Sequence, residues 1–190
     1  MTGLTLSALK PIIRQLPLDD NLAWRSLDPS GFIQQAKIEW QGDIYQPQRY
    51  RFQGTLNDLG WQGQASLPSA QGLSGQLEFS ERGGRIRLRG QQNTQLHLPE
   101  VFAQAWSLQQ LEGDLSWQRQ TAQHIAVEVH QLRFANSDLA GEVEGRYDYH
   151  SGRAGDIHLT GQLHRLQASQ VARYLPLVLD SEVRQWLAQV

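Results

Sequence analysis

From residue 32 onward, apolar and polar side chains alternate with a period of two. The alternation recurs in about nine segments, and each segment places its apolar residues on one face and its polar residues on the other. Short turn sequences separate the segments, and such connections favour antiparallel neighbours. The pattern therefore predicts an antiparallel sheet over residues 32–164 that is apolar on one face. Its apolar positions are, in order, Ile38 and Trp40; Tyr50, Phe52 and Leu56; Leu73, Leu77 and Phe79; Ile86 and Leu88; Leu96 and Leu98; Leu111, Leu115 and Trp117; Ile125, Val127 and Val129; Leu139, Val143, Tyr147 and Tyr149; Ile157, Leu159 and Leu163.

Helical spacing replaces the alternation at both ends of the chain. Apolar residues recur near the helical period over residues 4–16, and Pro17 ends that pattern. A second helical stretch covers residues 169–190 and contains two short helices, the last of which has Asp180 as its N-cap. The sequence thus predicts one segment over residues 1–190, with short helices at both ends of the sheet. Because the last helical pattern runs to the final residue, we expect the chain to be a fragment of a longer one.

Local signals predict where the strands turn and where the alternation is interrupted. The parity of apolar positions slips by one between Val129 and Leu132, which predicts a bulge near Gln131. Clusters of Gly, Asn, Asp and Ser are typical of turns. The predicted turns are Asn57-Asp58, Gly83-Gly84, Asn136-Ser137-Asp138 and Ser151-Gly152.

A glycine flanked at both second neighbours by apolar residues recurs on the apolar face. Glycine weakens a strand interior and packs nothing, so its repetition on one face needs a reason. Three explanations remain open: the glycines allow the sheet to curve, they leave room for a ligand, or they accommodate bulky neighbours on adjacent strands. The five glycines are Gly54, Gly75, Gly113, Gly141 and Gly161.

Composition and charge exclude several classes of function. The formal net charge is −2 and the chain contains only two lysines, Lys10 and Lys37. Without a run of basic residues, binding to nucleic acid through phosphate neutralisation has little support. The absence of cysteine excludes disulfides and thiol chemistry. No apolar run reaches the length of a membrane span, and residues 1–17 lack the basic start of a signal peptide. Any targeting or anchoring segment is therefore expected outside these residues.

Histidine spacing does not predict a metal site. His124 and His130 lie six residues apart, as do His158 and His164. No compact pair of ligands on one helix turn occurs. The sequence therefore predicts no metal and no cofactor.

Pairs of acidic residues at the polar positions of the alternation raise the possibility of glycoside hydrolysis. Glu142 and Glu144 form one pair, and Glu112 and Asp114 form another. A general acid needs a partly desolvated site, whereas these carboxylates alternate with the apolar residues and point away from them. We therefore predict dispersed, solvated carboxylates, no catalytic residues and no enzymatic activity.

Three arginines, Arg85, Arg87 and Arg89, form a basic stripe on one predicted strand. Such a stripe meets lipid phosphates or an anionic membrane surface in some proteins. The alternative is that the charges merely keep an exposed strand soluble, and the sequence favours this second interpretation.

The apolar face of the sheet must be covered by something, and three short helices are too few to cover about nine strands. Either the sheet folds over on itself, or a concave apolar groove remains that suits acyl chains. We predict a mostly β fold, in which a long twisted antiparallel sheet curves into such an open groove. The residues predicted to line the groove are Leu77, Phe79, Ile86, Leu88, Leu115, Trp117, Ile125, Val127, Val143, Ile157 and Leu159.

Several short strings occur in an order and spacing that resemble one protein family and together cover most of the chain. The strings are Pro29–Gly31 before Ile38–Trp40, Leu56–Trp61 followed by Leu67–Pro68 and Leu73–Gly75, Leu96–Phe102 before Leu108–Trp117, and Tyr174–Pro176 before Arg184–Leu187. Their arrangement is similar to that of the AsmA-like envelope proteins, and among them of the YhdP-like group. Each string alone is a common combination of residues, so the resemblance depends on their order.

This resemblance implies a taco-shaped, repeating β-groove within a periplasmic protein that is anchored in the inner membrane. It implies a role in moving phospholipid towards the outer membrane of Gram-negative bacteria. The expected partners are phospholipid acyl chains and neighbouring segments of the parent chain, with membrane contact only through parts absent here. The alternatives are a closed β-sandwich that serves as a scaffold without a ligand and, with less support, a carbohydrate-active enzyme.

Overall fold

The computed structural model describes residues 4–6, 28–43, 47–63, 69–99, 101–151, 155–177 and 179–180. They form one open antiparallel sheet of ten strands, in which consecutive long strands are hydrogen-bonded neighbours. The predicted mostly β fold is therefore confirmed. The strands are β1 (Leu4–Thr5), β2 (Asp28–Gly42), β3 (Pro47–Gln62), β4 (Ser69–Ser80), β5 (Gly83–His97), β6 (Trp106–Leu108), β7 (Gln110–Thr121), β8 (His124–Ala135), β9 (Leu139–His150) and β10 (Asp156–Leu166).

Strand β5 contains two segments that the sequence pattern treats as separate, one with Ile86 and Leu88 and the next beginning at Leu96. It pairs with β7 as far as Gly90 and with the short strand β6 from Thr94 onward. Asn93, with a φ of 78°, lies between these two parts. Thr94 is completely buried and donates a hydrogen bond of 3.1 Å to the carbonyl oxygen of Gly72. The change of partner explains why the apolar pattern resumes at Leu96 after an interruption.

The ends of the chain differ in part from the predicted helices. Leu4 and Thr5 form β1 and pair with Ile33 and Phe32, so the predicted helix over residues 4–16 is wrong at its start. Residues 7–27 lie outside the described part of the chain. Of the predicted helices over residues 169–190, the structure describes one 3₁₀ helix, Ala168–Tyr174. Residues 181–190 are outside the described part.

The turns correct two of the local predictions. Gly83 and Gly84 are the first residues of β5, and the turn before them is Glu81–Arg82. Asn57 and Asp58 lie inside β3, where the register with β4 shifts and Asp58 has a φ of 50°. They form an irregularity within the strand, because the strand continues to pair on both sides of them. The Asn136–Asp138 turn is confirmed, and so is the bulge between Val129 and Leu132.

The buried core lies at one end of the sheet, which we call the base. The base is the end at which β2, β4, β7 and β9 begin and β3, β5, β8 and β10 finish. At the opposite end, the tip, the turns Glu81–Arg82 and Ala122–Gln123 join neighbouring strands. The core cluster at the base consists of Leu6, Ile33, Leu56, Leu59, Ala70, Leu73, Leu108 and Leu111.

Candidate functional site

All eleven predicted lining residues lie on the same face of the sheet, which we call the inner face. The strand register arranges that face in cross-strand rows that follow one another from base to tip. The first row is Ile33, Leu56, Gly75, Leu88, Gly113, Leu132, Val143 and Gly161. The second row is Ala36, Gly54, Leu77, Ile86, Leu115, Val129, Gly145 and Leu159. The third row is Ile38, Phe52, Phe79, Gly84, Trp117, Val127, Tyr147 and Ile157. The fourth row contains Trp40, Tyr50, Arg119, Ile125 and Tyr149.

The inner face is buried in the first row on β2 and β3 and is most exposed further along the edge strands β2 and β10. Ile33 and Leu56 in the first row are buried, at 4% and 3% exposure. The central residues of the second and third rows are half-buried. On the edge strands, Ile38 is 65% exposed and Ile157 is 67% exposed. Large contiguous apolar patches of this kind are uncommon on soluble domains and mark binding surfaces.

The base of the inner face is closed by the protein's own aromatic side chains. The ring of Trp106 lies 4.3 Å from that of Phe102, 5.3 Å from Tyr174 and 5.8 Å from Phe134, measured between centroids. We call Phe102, Trp106 and Tyr174 the end cap. Asn136, only 7% exposed, holds it in place, because its Nδ2 donates to Ser107 O at 3.1 Å and to Tyr174 Oη at 3.0 Å. Over β5 to β8, the described part of the inner face is therefore open towards the tip and covered at the base, whereas Leu163 near the base of β10 is 59% exposed.

Neighbouring side chains fill most of the space beside the inner-face glycines. A Cβ atom at Gly54 would lie 2.8 Å from the ring of Phe52. At Gly113 it would lie 3.2 Å from both Leu115 Cδ1 and Leu132 Cδ1. The structure thus favours the explanation that the glycines accommodate bulky neighbours. Gly141 likewise faces Phe134 and Leu163, Gly75 faces the backbone of Arg87, and Gly161 faces Val143.

A model of the YhdP protein family matches residues 1–190, the full length of the chain. The chain belongs to the YhdP family. This membership confirms the resemblance that the order of the sequence strings suggested, and it makes the chain part of an AsmA-like envelope protein family. Comparison with curated proteins and with solved structures gave no match.

In the part of this YhdP-family chain that the structure describes, no helix has the length and apolar character needed to span a membrane. The apolar surface that the chain offers is instead the inner face of its sheet. Half-buried residues in the second and third rows and exposed residues on β2 and β10 supply that surface.

The outer face of the sheet carries a network of ion pairs. Arg85 donates from Nε and Nη2 to both oxygens of Asp114, each at 2.6 Å, and Arg87 lies 3.6 Å from the same carboxylate. Hydrogen bonding from Arg85 lowers the pKa of Asp114. Two of the three arginines of the basic stripe thus have an acidic partner, which favours the interpretation that the stripe is a solvated surface. Glu142 lies near Arg133 and His164, so the acidic pairs do not converge on one cleft.

His124 and His150 take part in polar contacts on the outer face near the tip. The rings of His124 and His150, opposite each other on β8 and β9, stack at 4.4 Å. His124 Nε2 is hydrogen-bonded to Asp148 Oδ1 at 2.8 Å, and His150 Nε2 lies 3.5 Å from Asp156. Within the described residues, no group of three or more potential metal ligands is assembled.

Asp148 gives the outer face a testable dependence on pH. Hydrogen bonds from Arg146 and then from His124 hold the pKa of its carboxyl well below the ordinary value. A carboxyl with a lowered folded-state pKa stabilises the fold above its unfolded-state pKa, and this contribution is lost as the pH falls. We expect Asp148→Asn to lower the free energy of unfolding at neutral pH. The difference from the wild type should narrow below about pH 4.

Urea unfolding at a series of pH values measures this effect. Glu144→Gln is the matched control, because Glu144 is exposed on the same strand and face. A difference between Asp148→Asn and the wild type that stays constant from neutral to acidic pH would contradict the expectation.

Two features of the site escaped the sequence reasoning. Arg119 belongs to the fourth row of the inner face, and its period-two spacing from Leu115 and Trp117 was a signal that could have placed it there. The end cap brings Phe102 and Tyr174 together across a long stretch of chain, and no periodicity connects such positions.

Proposed function

We propose that this chain is a segment of a bridge-like lipid transport protein of the envelope and that its inner face holds phospholipid acyl chains without chemistry. The observation that carries the proposal is the uncovered apolar surface from the second row to the tip. It consists of half-buried aliphatic and aromatic side chains in the middle of the sheet and exposed ones on both edge strands. Each methylene that such a surface removes from water contributes about 0.8 kcal/mol.

The dimensions of the inner face fit an acyl chain. Gly113 in the first row and Arg119 in the fourth lie six residues apart on β7. At about 3.3 Å per residue this distance is about 20 Å. One leaflet of a bilayer accounts for about half of a hydrocarbon core about 30 Å thick. A single acyl chain can therefore lie along the strands between the base and the tip.

Strand β10 offers a site at which a neighbouring segment of the parent chain would continue the groove. Among the described strands it is the last in the sheet, with β9 as its partner. Its inner-face residues Ile157, Leu159 and Leu163 are 67%, 48% and 59% exposed. An exposed strand edge pairs readily with another strand. We place the parent protein in the periplasm, anchored in the inner membrane, with the groove conducting phospholipid between the two membranes.

The alternative is a scaffold module with no ligand, and the filled base of the sheet is the observation in its favour. Trp106, Phe134 and Tyr174 occupy the inner face there, so nothing else enters that end. The scaffold function requires in addition that no lipid binds to the apolar surface near the tip.

Native mass spectrometry of the purified chain separates the two functions. We expect phospholipid adducts on the chain as isolated, and their return when lipid is added back after extraction. A chain that carries no lipid as isolated and takes up none afterwards would leave the scaffold function in place.

A further inference from the structure

One side chain of the inner face does not fit its apolar surroundings. Among the described positions of the four rows, Arg119 alone carries a full charge. It follows Leu115 and Trp117 at a spacing of two, and its partner on β8 is Ile125. The side chain is exposed. A cation therefore stands where the apolar surface meets water at the tip.

The backbone fixes the position of Arg119 at the tip. Its N–H donates a hydrogen bond of 2.8 Å to the carbonyl oxygen of Arg82, in the turn between β4 and β5. Burial raises the pKa of the Tyr50 phenol, and the nearby positive charge of Arg119 acts in the opposite direction. Arg119 is thus held beside the turn, with its charge near an aromatic side chain on β3.

Aromatic rings cluster at the same end of the inner face on β2, β3 and β4. The ring centroid of Tyr50 lies 6.4 Å from that of Trp40 and 6.1 Å from that of Phe79. The side chain of Trp117 reaches over Gly84, where a Cβ atom would lie 2.4 Å from the indole. Trp and Tyr side chains, apolar in body and polar at one end, favour boundaries between hydrocarbon and water.

Two acidic groups near the tip, Glu81 and Asp148, are engaged with partners other than Arg119. Glu81 accepts a hydrogen bond of 3.2 Å from the backbone N–H of Tyr50 and lies 3.8 Å from Arg82. Asp148 is bound by Arg146 and His124. Within the described part of the chain, Arg119 forms no ion pair, in contrast to Arg85 and Arg146.

We propose that Arg119 binds the phosphate of a diacyl phospholipid whose acyl chains lie on the inner face. This inference rests on the proposed function and adds the position of the headgroup and the residue that binds it. An amphiphile lying along β7 places its polar end at the tip, because the end cap covers the base of β5 to β8. A guanidinium group forms paired, charge-assisted hydrogen bonds with phosphate oxygens. The phosphate is then bound at the end of the apolar surface, next to Tyr50 and Trp117.

Binding of three probes to the wild type and to Arg119→Gln tests the proposal. The probes are a diacyl phospholipid, a diacylglycerol with the same acyl chains, and inorganic phosphate. We expect Arg119→Gln to weaken phospholipid binding about tenfold, equivalent to about 1.4 kcal/mol, and to leave diacylglycerol binding unchanged. Arg119→Lys should restore part of the loss, because it keeps the charge but not the paired hydrogen bonds. Arg51→Gln is the matched control, since Arg51 is an exposed arginine on the outer face, on β3.

The other outcomes are distinct from one another. Equal affinities of the wild type and Arg119→Gln for phospholipid would overturn the headgroup site and leave acyl-chain binding intact. Equal losses for phospholipid and diacylglycerol would assign Arg119 a structural role and also overturn the site. Binding of inorganic phosphate alone, dependent on Arg119, would replace the lipid site by a simple anion site. A wild type that binds neither lipid would overturn the proposed function itself.

Discussion

The substitutions Leu115→Arg and Val127→Glu are each expected to abolish phospholipid binding while the sheet remains folded. Leu115 lies in the second row and Val127 in the third, both half-buried near the middle of the inner face. A charged side chain at either position is hydrated while the groove is empty. An acyl chain that lies over it removes this water, and the loss of hydration makes binding unfavourable. Excluding as few as four methylenes costs about 3 kcal/mol, which is about a hundredfold in affinity.

The measurement is lipid occupancy by native mass spectrometry, with circular dichroism to verify the fold. Gln118→Arg is the matched control for Leu115→Arg, because Gln118 is exposed on the outer face of the same strand, β7. It adds the same charge next to Trp117 without changing the inner face. Normal lipid occupancy in both inner-face variants would remove the groove from the function of this chain.

The substitution Asn136→Ala is expected to destabilise the chain by about 3 kcal/mol. The side-chain oxygen of Asn136 accepts hydrogen bonds from the backbone N–H groups of Asp138 and Leu139, at 2.9 and 2.8 Å. Its amide nitrogen donates to Ser107 and Tyr174. Alanine removes these four hydrogen bonds and leaves the buried backbone N–H of Leu139 without its side-chain acceptor. Each buried polar group left unpaired costs about 1–3 kcal/mol. The end cap keeps one link to the turn between β8 and β9, the hydrogen bond of 3.1 Å that Tyr174 Oη donates to Asp138 Oδ2.

Urea unfolding followed by circular dichroism measures this loss. Gln110→Ala removes an exposed amide from the neighbouring strand β7 and should change the free energy of unfolding by less than about 0.5 kcal/mol. A loss below about 1 kcal/mol in Asn136→Ala would show that water replaces the lost hydrogen bonds and that the end cap does not depend on this residue.

The site was predictable from the sequence to the extent that it follows strand periodicity. Leu77, Leu115 and Leu159 fall in one row because alternation assigns each to the inner face and antiparallel pairing aligns their strands. The same logic applies to Arg119, whose charge hid it from a search for apolar residues. The bulge between Val129 and Leu132 was visible in the sequence because one extra residue shifts the alternation by one position. Leu132, three residues after Val129, therefore lies on the same face as Val129.

Other local signals were ambiguous because they concern backbone geometry. Gly83-Gly84 and Asn57-Asp58 have the composition of turns, yet both lie within strands. A glycine at the start of β5 allows close approach to Trp117 on β7, where a Cβ at Gly83 would lie 2.1 Å from the carbonyl oxygen. Composition alone does not distinguish a residue that turns the chain from one that admits a neighbouring strand.

The sequence by itself determined the class of fold, the antiparallel order of the strands and the face to which each side chain belongs. These properties depend on neighbours in the chain, since a period of two and a short connection are local. Only the tertiary structure decided that the base is filled by Trp106 and Tyr174 and that Asn136 holds them. Those contacts join residues far apart in the chain, so no local periodicity encodes them.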